Sequence, residues 1–334
     1  KVASGAYFKC QMVGCDGRLL DSQKMKAMQD YVSVPTNGKA RPLIRSLHIW
    51  DAYSPFRTFG QIAMEAIEAE GNITLLERLH RGTYAEQFAR AGRSIKHADV
   101  LECIVKDASK PGYFLRGNCP FKPLLFCAAI DLQKDVQKAA KCAFDERGNL
   151  YVIDWTTTLV LEDAIAWCYE GVPGPDGEPL YISSAFIDEG HRTMDVRRAC
   201  LANLPTFWPV KGRANIQVRE IVSTSTSLVD GEELLSYHIA EDQFKWDLLG
   251  MIIDRKKHLV NKRPAVFLPF DADDDEGFID ELCNEHPVKK TNKLGKQSWV
   301  WETVGPNDFW DVLKYCQSIK FISWPQLVKT GIAA

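Results

Sequence analysis

The sequence predicts an α/β fold: a mixed sheet flanked by helices, preceded by a mainly helical segment. Three observations carry that expectation. The apolar run Leu124–Ile130, closed by Asp131, reads as a central strand, since such runs belong to strands covered on both faces. Lys138–Phe144 and Leu150–Thr157 flank the turn-rich Asp145-Glu-Arg-Gly-Asn149 and read as a hairpin. Further on, helical and extended patterns alternate, the mark of strand–helix–strand units and a parallel half-sheet.

Residues 1–46 are polar and turn-rich, with Cys10 and Cys15 followed by Asp16-Gly17. Residues 47–117 form the helical linker segment. Within it, Thr58–Ala69 and Thr74–Ala91 carry apolar residues at helical spacing, separated by Glu70-Gly71-Asn72. Residues 107–123 are rich in Pro and Gly and read as a linker, which puts the main domain at 118–330. There the three antiparallel strands precede a helix over Leu161–Glu170, a Pro/Gly loop and a second apolar strand, Ile182–Asp188. A helix over Thr193–Leu204 and a short strand, Thr206–Val210, lead to Lys211-Gly212-Arg213. A helix over Glu241–His258, an acidic loop at 271–277, a hairpin around Gly295 and a helix from Asn307 to about Lys320 follow. That order matches the ribonuclease-H-like plan. No internal repeat or low-complexity tract interrupts it.

Bulk composition narrows the function. A length of 334 residues suits about two domains of ~100–200 residues. With 46% hydrophobic and 25% charged residues this is an ordinary globular composition. A net charge of −3 excludes a global basic field, so any nucleic-acid contact must come from a local patch. No apolar run approaches the ~20 residues that a membrane span needs, and no signal peptide is legible. The ten cysteines are irregularly spaced, and Cys127, Cys142, Cys168 and Cys200 sit inside apolar segments. That is the pattern of reduced core cysteine in a cytoplasmic protein. The chain begins Lys1-Val-Ala, as a fragment or processed product would.

The candidate chemistry lies in aspartates far apart in sequence. An aspartate after a strand is ordinarily a turn residue or a helix N-cap. Here Asp131 leaves a buried strand, and Asp188 precedes Glu189-Gly-His-Arg-Thr193, a turn with cationic groups beside the acid. Asp308 and Asp311 are three apart and share a face of the last helix. Carboxylates gathered from two strands and a crossing helix repel one another unless a cation is present. A pair of hard cations held there activates water and stabilises the leaving oxygen in phosphodiester cleavage. The expectation is a two-metal nuclease using Mg²⁺ or Mn²⁺, with Asp131 bridging both ions, Asp188 and Asp311 holding one each, and Asp308 a further ligand. Lys211, Arg213, Arg192 and Lys245 are candidate clamps on a phosphodiester backbone; the alternative is a solvated basic loop.

Other motifs carry less. Cys10-x4-Cys15 supplies half of a tetrahedral zinc shell, and no second pair stands nearby, so no zinc is expected. Asp271-Ala-Asp273-Asp-Asp275-Glu276-Gly277 resembles a calcium loop, yet its glycine is one position late and Leu282 stands where Glu is required. It reads as a solvated acidic loop. No Gly-x4-Gly-Lys-Ser/Thr loop occurs, so no ATP site of that kind is expected. The nine tryptophans sit mostly on apolar faces and read as core.

Ala129-Ile-Asp131-Leu-Gln133, Ile187-Asp188-Glu-Gly-His191-Arg192-Thr193, Pro209-Val-Lys211-Gly212, Lys245-Trp246 and Asn307-Asp308-x-x-Asp311 together resemble the large terminase subunit of tailed bacteriophages, lambda-like branch, over most of the chain. Leu47-His-Ile-Trp-Asp-Ala-Tyr53-Ser54-Pro55-Phe56 looks like the segment that joins motor and nuclease in that family, and Cys10 and Cys15 sit where the family carries the tail of a cysteine-rich knuckle. Glu189 stands where a small residue is common, and Asp308 where Glu is usual. The resemblance implies a genome-packaging endonuclease that cuts concatemeric double-stranded DNA, with Asp131, Asp188 and Asp311 as metal ligands. It implies as partners the small terminase subunit, the portal and the procapsid. It also implies a place in the host cytoplasm, transiently at the portal vertex, and no membrane. Two other readings fit the residues: a transposase, integrase or resolvase on the same fold, and a non-catalytic DNA-gripping and portal-docking module.

Overall fold

The computed structural model describes residues 5–9, 15–29, 49–69, 73–86, 93–213, 221–291 and 297–329. The chain divides into two compact units, Lys1–Ala91 and Gly92–Ala334. In the first, β1 (Phe8–Lys9) pairs antiparallel with β2 (Arg18–Leu19), and helices α1 (Asp21–Gln29) and α2 (Phe59–Ala69) follow. Ala52, Phe59 and Ile62 form its small core, with Phe8, Trp50 and Tyr84 against them. Helix α3 (Ile73–Arg78) widens into a π-turn, Leu79–Thr83. The single helix expected from Thr74 is therefore broken early; Gly82 and the β-branched Thr83 both weaken a helix there.

The second unit opens with α4 (His97–Leu101) and then builds the sheet. Its strands are β3 (Leu125–Leu132), β4 (Gln137–Phe144), β5 (Leu150–Thr158), β8 (Ser184–Asp188), β9 (Phe207–Arg213), β10 (Val222–Val229), β11 (Glu232–Ala240) and β12 (Val266–Phe267). The two-residue strands β6 (Val172–Pro173) and β7 (Pro179–Leu180) pair apart from it. Sheet order is β10-β11-β9-β8-β3-β4-β5-β12. β3, β4 and β5 run antiparallel in sequence, while β8 and β9 join β3 in parallel. This is the ribonuclease-H-like order that the sequence predicts. The β10–β11 hairpin, which the sequence pattern passes over, extends that edge.

Alternation sorts the side chains onto two faces. Ala128, Ile130, Leu132, Ala185 and Ile187 share an apolar cluster with α5 (Leu161–Tyr169) and α6 (Thr193–Ala202). Each fully buried aliphatic side chain there contributes about 1.5–3 kcal/mol. The opposite parity, Cys127, Ala129, Asp131, Phe186 and Asp188, faces the other way. After α7 (Glu241–Ile253), α8 (Arg255–Val260), α9 (Glu276–Cys283) and the separate hairpin β13 (Glu285–Thr291)–β14 (Gln297–Thr303), the chain ends in α10 (Asp308–Lys329). Helix α10 packs across β3, β4 and β8 and against α7. Cys316 of α10 meets Cys127 and Cys142, a directly opposed pair on β3 and β4, and this fixes α10 to the second face.

Residues 93–117, expected in the helical linker, fold with the sheet. Phe114 lies in its apolar cluster, and the Gly117 amide donates to the Ile153 carbonyl at 2.8 Å. The Arg116 guanidinium donates to Asp154 at 2.8 Å and lies 3.9 Å over the Trp155 ring. Pro and Gly shape tight turns here, not a spacer. Among the described residues no helix is long and apolar enough to cross a membrane.

Candidate active site

The register of β3 and β8 brings the first two aspartates side by side. Ile130 pairs with Ile187, so Asp131 and Asp188 stand at the next level on the same face. Helix α10 crosses that face, with Asp311, Lys314 and Tyr315 on its first turns. Asp131 is 3% exposed. Burial and the charges of Asp311 and Asp188 push its carboxyl well above the usual range, against one amide donor, Gln133, at 2.6 Å. Burial also raises Asp188, although the Tyr315 hydroxyl donates to it at 2.9 Å and the Gly190 amide donates as well. A Cβ on residue 190 would lie 2.9 Å from the Asp188 carboxylate, so this close approach requires glycine.

Two buried ammonium groups sit among further acids. Lys314 Nζ lies 2.7 Å from Asp311 Oδ1 and 2.9 Å from Glu241 Oε1. Lys245 Nζ lies 2.8 Å from Glu241 Oε1, 2.6 Å from Glu285 Oε1 and 3.7 Å from Asp311 Oδ1. Burial alone would raise Glu241; Lys314 and Lys245 outweigh it and hold the carboxyl at about 2. Gly212 makes room for this acid, since a Cβ there would lie 3.2 Å from Glu241 Oε2. The ion pairs of these five acids, Asp131, Asp188, Asp311, Glu241 and Glu285, run among the described residues to Lys245 and Lys314, so acids outnumber the cations that touch them.

That surplus bears on a metal. Among the described residues no group of three or more His, Cys, Asp or Glu side chains is placed to hold an ion. Asp311 instead pairs with Lys314, and Asp188 accepts the Tyr315 hydroxyl. The donor chemistry still fits a hard divalent cation, because the set is all carboxylate oxygen and Asp131 is buried against like charges.

The other expected site residues divide. Lys211 and Arg213 are exposed on β9, just past Val210, which pairs with Asp188. Arg192 adopts the left-handed conformation at φ 51° and ion-pairs with Asp195 at 2.9 Å on the surface. Asp308 borders the cluster; burial and the charge of Glu281 raise it, and Lys138 bridges to Glu281 at 2.9 Å. Lys245 is a correction. It is 5% exposed and held by Glu241 and Glu285, so it lies within the acid cluster and not on the surface with Lys211 and Arg213. Cys10 lies outside the described residues, and Cys15 is exposed, its sulfur accepting the Gly17 amide at 3.4 Å.

The acidic loop is also unlike its expectation. Asp273 pairs with Lys106 at 2.6 Å, Asp271 accepts the Arg116 amide at 2.9 Å, and Asp275 accepts the Trp155 indole N–H at 2.8 Å. Asp275 also caps α9 by accepting the Phe278 amide. Sequence reasoning missed Lys314, Tyr315, Glu241 and Glu285. One signal was available: Lys314 interrupts the apolar run Val312-Leu313…Tyr315-Cys316, one turn after Asp311.

The model of one family, terminase large subunit gpA, endonuclease domain, matches residues 44–326. No curated protein matches. The chain is similar to the crystal structure of the large terminase nuclease from thermophilic phage G20c at 13% identity and a TM-score of 0.32, covering 62% of this chain and 92% of that one. It is similar to the HK97 bacteriophage large terminase at 12% identity and a TM-score of 0.32, covering 82% of this chain and 55% of that one. Neither overlap is close enough to place a residue of the site.

Proposed function

The chain belongs to the family of the terminase large subunit gpA endonuclease domain, and we propose that it is a metal-dependent endonuclease that cuts concatemeric double-stranded DNA for packaging. The observation that carries this reading is the convergence of Asp131, Asp188 and Asp311 on one face with acids in surplus. Asp131, Asp188 and Asp311 would hold a pair of Mg²⁺ or Mn²⁺ ions, with Asp308 beside them. Bound there, such ions supply water activation and charge at the leaving oxygen.

The chain's own groups do the rest. Tyr315 and Gly190 fix the Asp188 carboxylate, and Gln133 fixes Asp131, so the donors do not swing away when the charge balance changes. Packing of α10 on β3 and β4 sets the separation of Asp311 from both strands. Lys211 and Arg213, exposed beside Asp188, and Arg192 on the next turn would contact phosphates. That contact reads charge and not sequence. Partners in the packaging machine, namely the small terminase subunit, the portal and the procapsid, and action in the host cytoplasm belong to the same proposal.

The test is nicking of supercoiled plasmid. Nicking with Mn²⁺ and none with excess chelator is the expected result. Equal nicking in both, or none in either, counts against the reading; the second outcome would favour a DNA-gripping module whose acids never bind metal.

A further inference from the structure

Lys314 is a fully buried ammonium at the edge of the aspartate set. Its side chain is 1% exposed, and it lies one helical turn after Asp311 on the same helix. A buried ammonium costs several kcal/mol in lost hydration unless acids close on it. Here Asp311 at 2.7 Å and Glu241 at 2.9 Å do so. Glu241 is held a second time by Lys245, which also reaches Glu285. The arrangement gives Lys314 two acids of different kinds. One belongs to the aspartate set that faces β3 and β8. The other, Glu241, begins α7 and is backed by Gly212.

We propose that Lys314 is a resident counter-cation that competes with divalent metal for Asp311 and withdraws onto Glu241 when metal enters. This rests on the reading of Asp311 as a metal ligand. A single lysine rotamer can leave Asp311 and keep Glu241, because both acids already touch the same nitrogen. While Lys314 stays on Asp311, its unit positive charge repels an incoming cation and occupies one carboxylate oxygen. The site then stays compact without metal, at the expense of metal affinity. Glu241 is a positioning residue in this scheme: it receives the displaced ammonium and touches no metal.

The experiment is Mn²⁺ titration of the whole chain by calorimetry without DNA, with thermal melting in chelator and in Mn²⁺ as a second readout. Lys314→Met keeps length and removes charge; it should bind Mn²⁺ roughly tenfold more tightly, the scale of one nearby charge. Its melting temperature should fall in chelator, where Asp311 loses its nearest ammonium and Glu241 keeps Lys245 alone, and rise more with Mn²⁺ than that of the wild type. Glu241→Gln should do the opposite and weaken Mn²⁺ binding, because Lys314 then has no acid to withdraw onto except Asp311. Saturable wild-type binding with Lys314→Met unchanged or weaker overturns the competition alone. If Lys314→Met does not fold, an unchanged or tighter Glu241→Gln isotherm overturns it. No saturable binding by the wild type overturns the metal-site reading and this inference with it.

Discussion

Two acid-rich places in the second unit differ in every respect that matters. The loop at 271–277 is dense in sequence and largely exposed, and three of its five acids have partners: Lys106 for Asp273, the Arg116 amide for Asp271, Trp155 and the α9 amide for Asp275. The cluster of Asp131, Asp188 and Asp311 is scattered over the chain, with Asp131 buried and the other two half-buried, and with Glu241 and Glu285 it outnumbers Lys245 and Lys314. Acids tied by surface contacts hold a fold together. Acids gathered in the interior in excess of the cations beside them cost stability, and such a set is a candidate for function. Local density of Asp is therefore a poor guide to chemistry; imbalance after folding is the better one.

The sharpest way to break this contrast is to remove one acid from each place. Asp131→Asn should lower Mn²⁺-dependent nicking by more than the ~100-fold that loss of a supporting contact produces. Its apo melting temperature should stay level or rise, because a buried carboxylate facing like charges is gone. Asp273→Asn should nick at the wild-type rate. Comparable losses in both variants, measured by initial nicking rate on folded protein, would erase the distinction.

How far each place is legible in sequence follows from how local its causes are. Strand β3 and the acids at 131 and 188 are readable because alternation, apolar runs and strand ends are properties of a few neighbouring residues. Asp311 is readable from its helix. The partners are not. Lys106 and Asp273 are 167 positions apart, and Trp155 and Asp275 are 120 apart, so nothing near the loop tells a solvated run from a docked one. Lys245 looks like a DNA contact until Glu241 and Glu285 are seen to enclose it. Pro and Gly in 107–123 signal turns equally well in a spacer and in a packed segment, which is why the boundary at 117 misses Phe114 and Arg116. The β10–β11 hairpin escaped because Val222-Ser-Thr-Ser-Thr-Ser-Leu-Val229 is a half-exposed Ser/Thr strand with little apolar signal.

Truncation sharpens the comparison from the matched side. A chain beginning at Asn118 loses Lys106, Arg116 and Phe114 together, leaving the loop acids without two of their partners. It should be less stable than one beginning at Gly92 by at least the ~3–5 kcal/mol of a lost core phenylalanine. Urea unfolding of the two forms reads the difference. Equal midpoints would mean that residues 92–117 are a passive spacer after all.

The smallest expected effect isolates one matched acid. Burial alone would raise Asp275, but the Trp155 indole, the Phe278 amide and Arg116 outweigh it and hold the carboxyl below the usual range. A group whose pKa is lower folded than unfolded adds stability above its unfolded value, near 3.9. That stability is lost as pH falls through the folded value, because the native state must then take up a proton against its partners. Asp275→Asn removes the charge and keeps a capping oxygen, so its cost should be modest, about 1 kcal/mol or less. The deficit relative to wild type should be constant above roughly pH 4 and shrink below it, since a protonated Asp and an Asn are then nearly equivalent. Nicking should be unaffected throughout. A deficit that stays flat or grows in acid would show that Asp275 acts by shape and not by charge. The contrast between matched and unmatched acids would then rest on Asp273 and Asp271 alone.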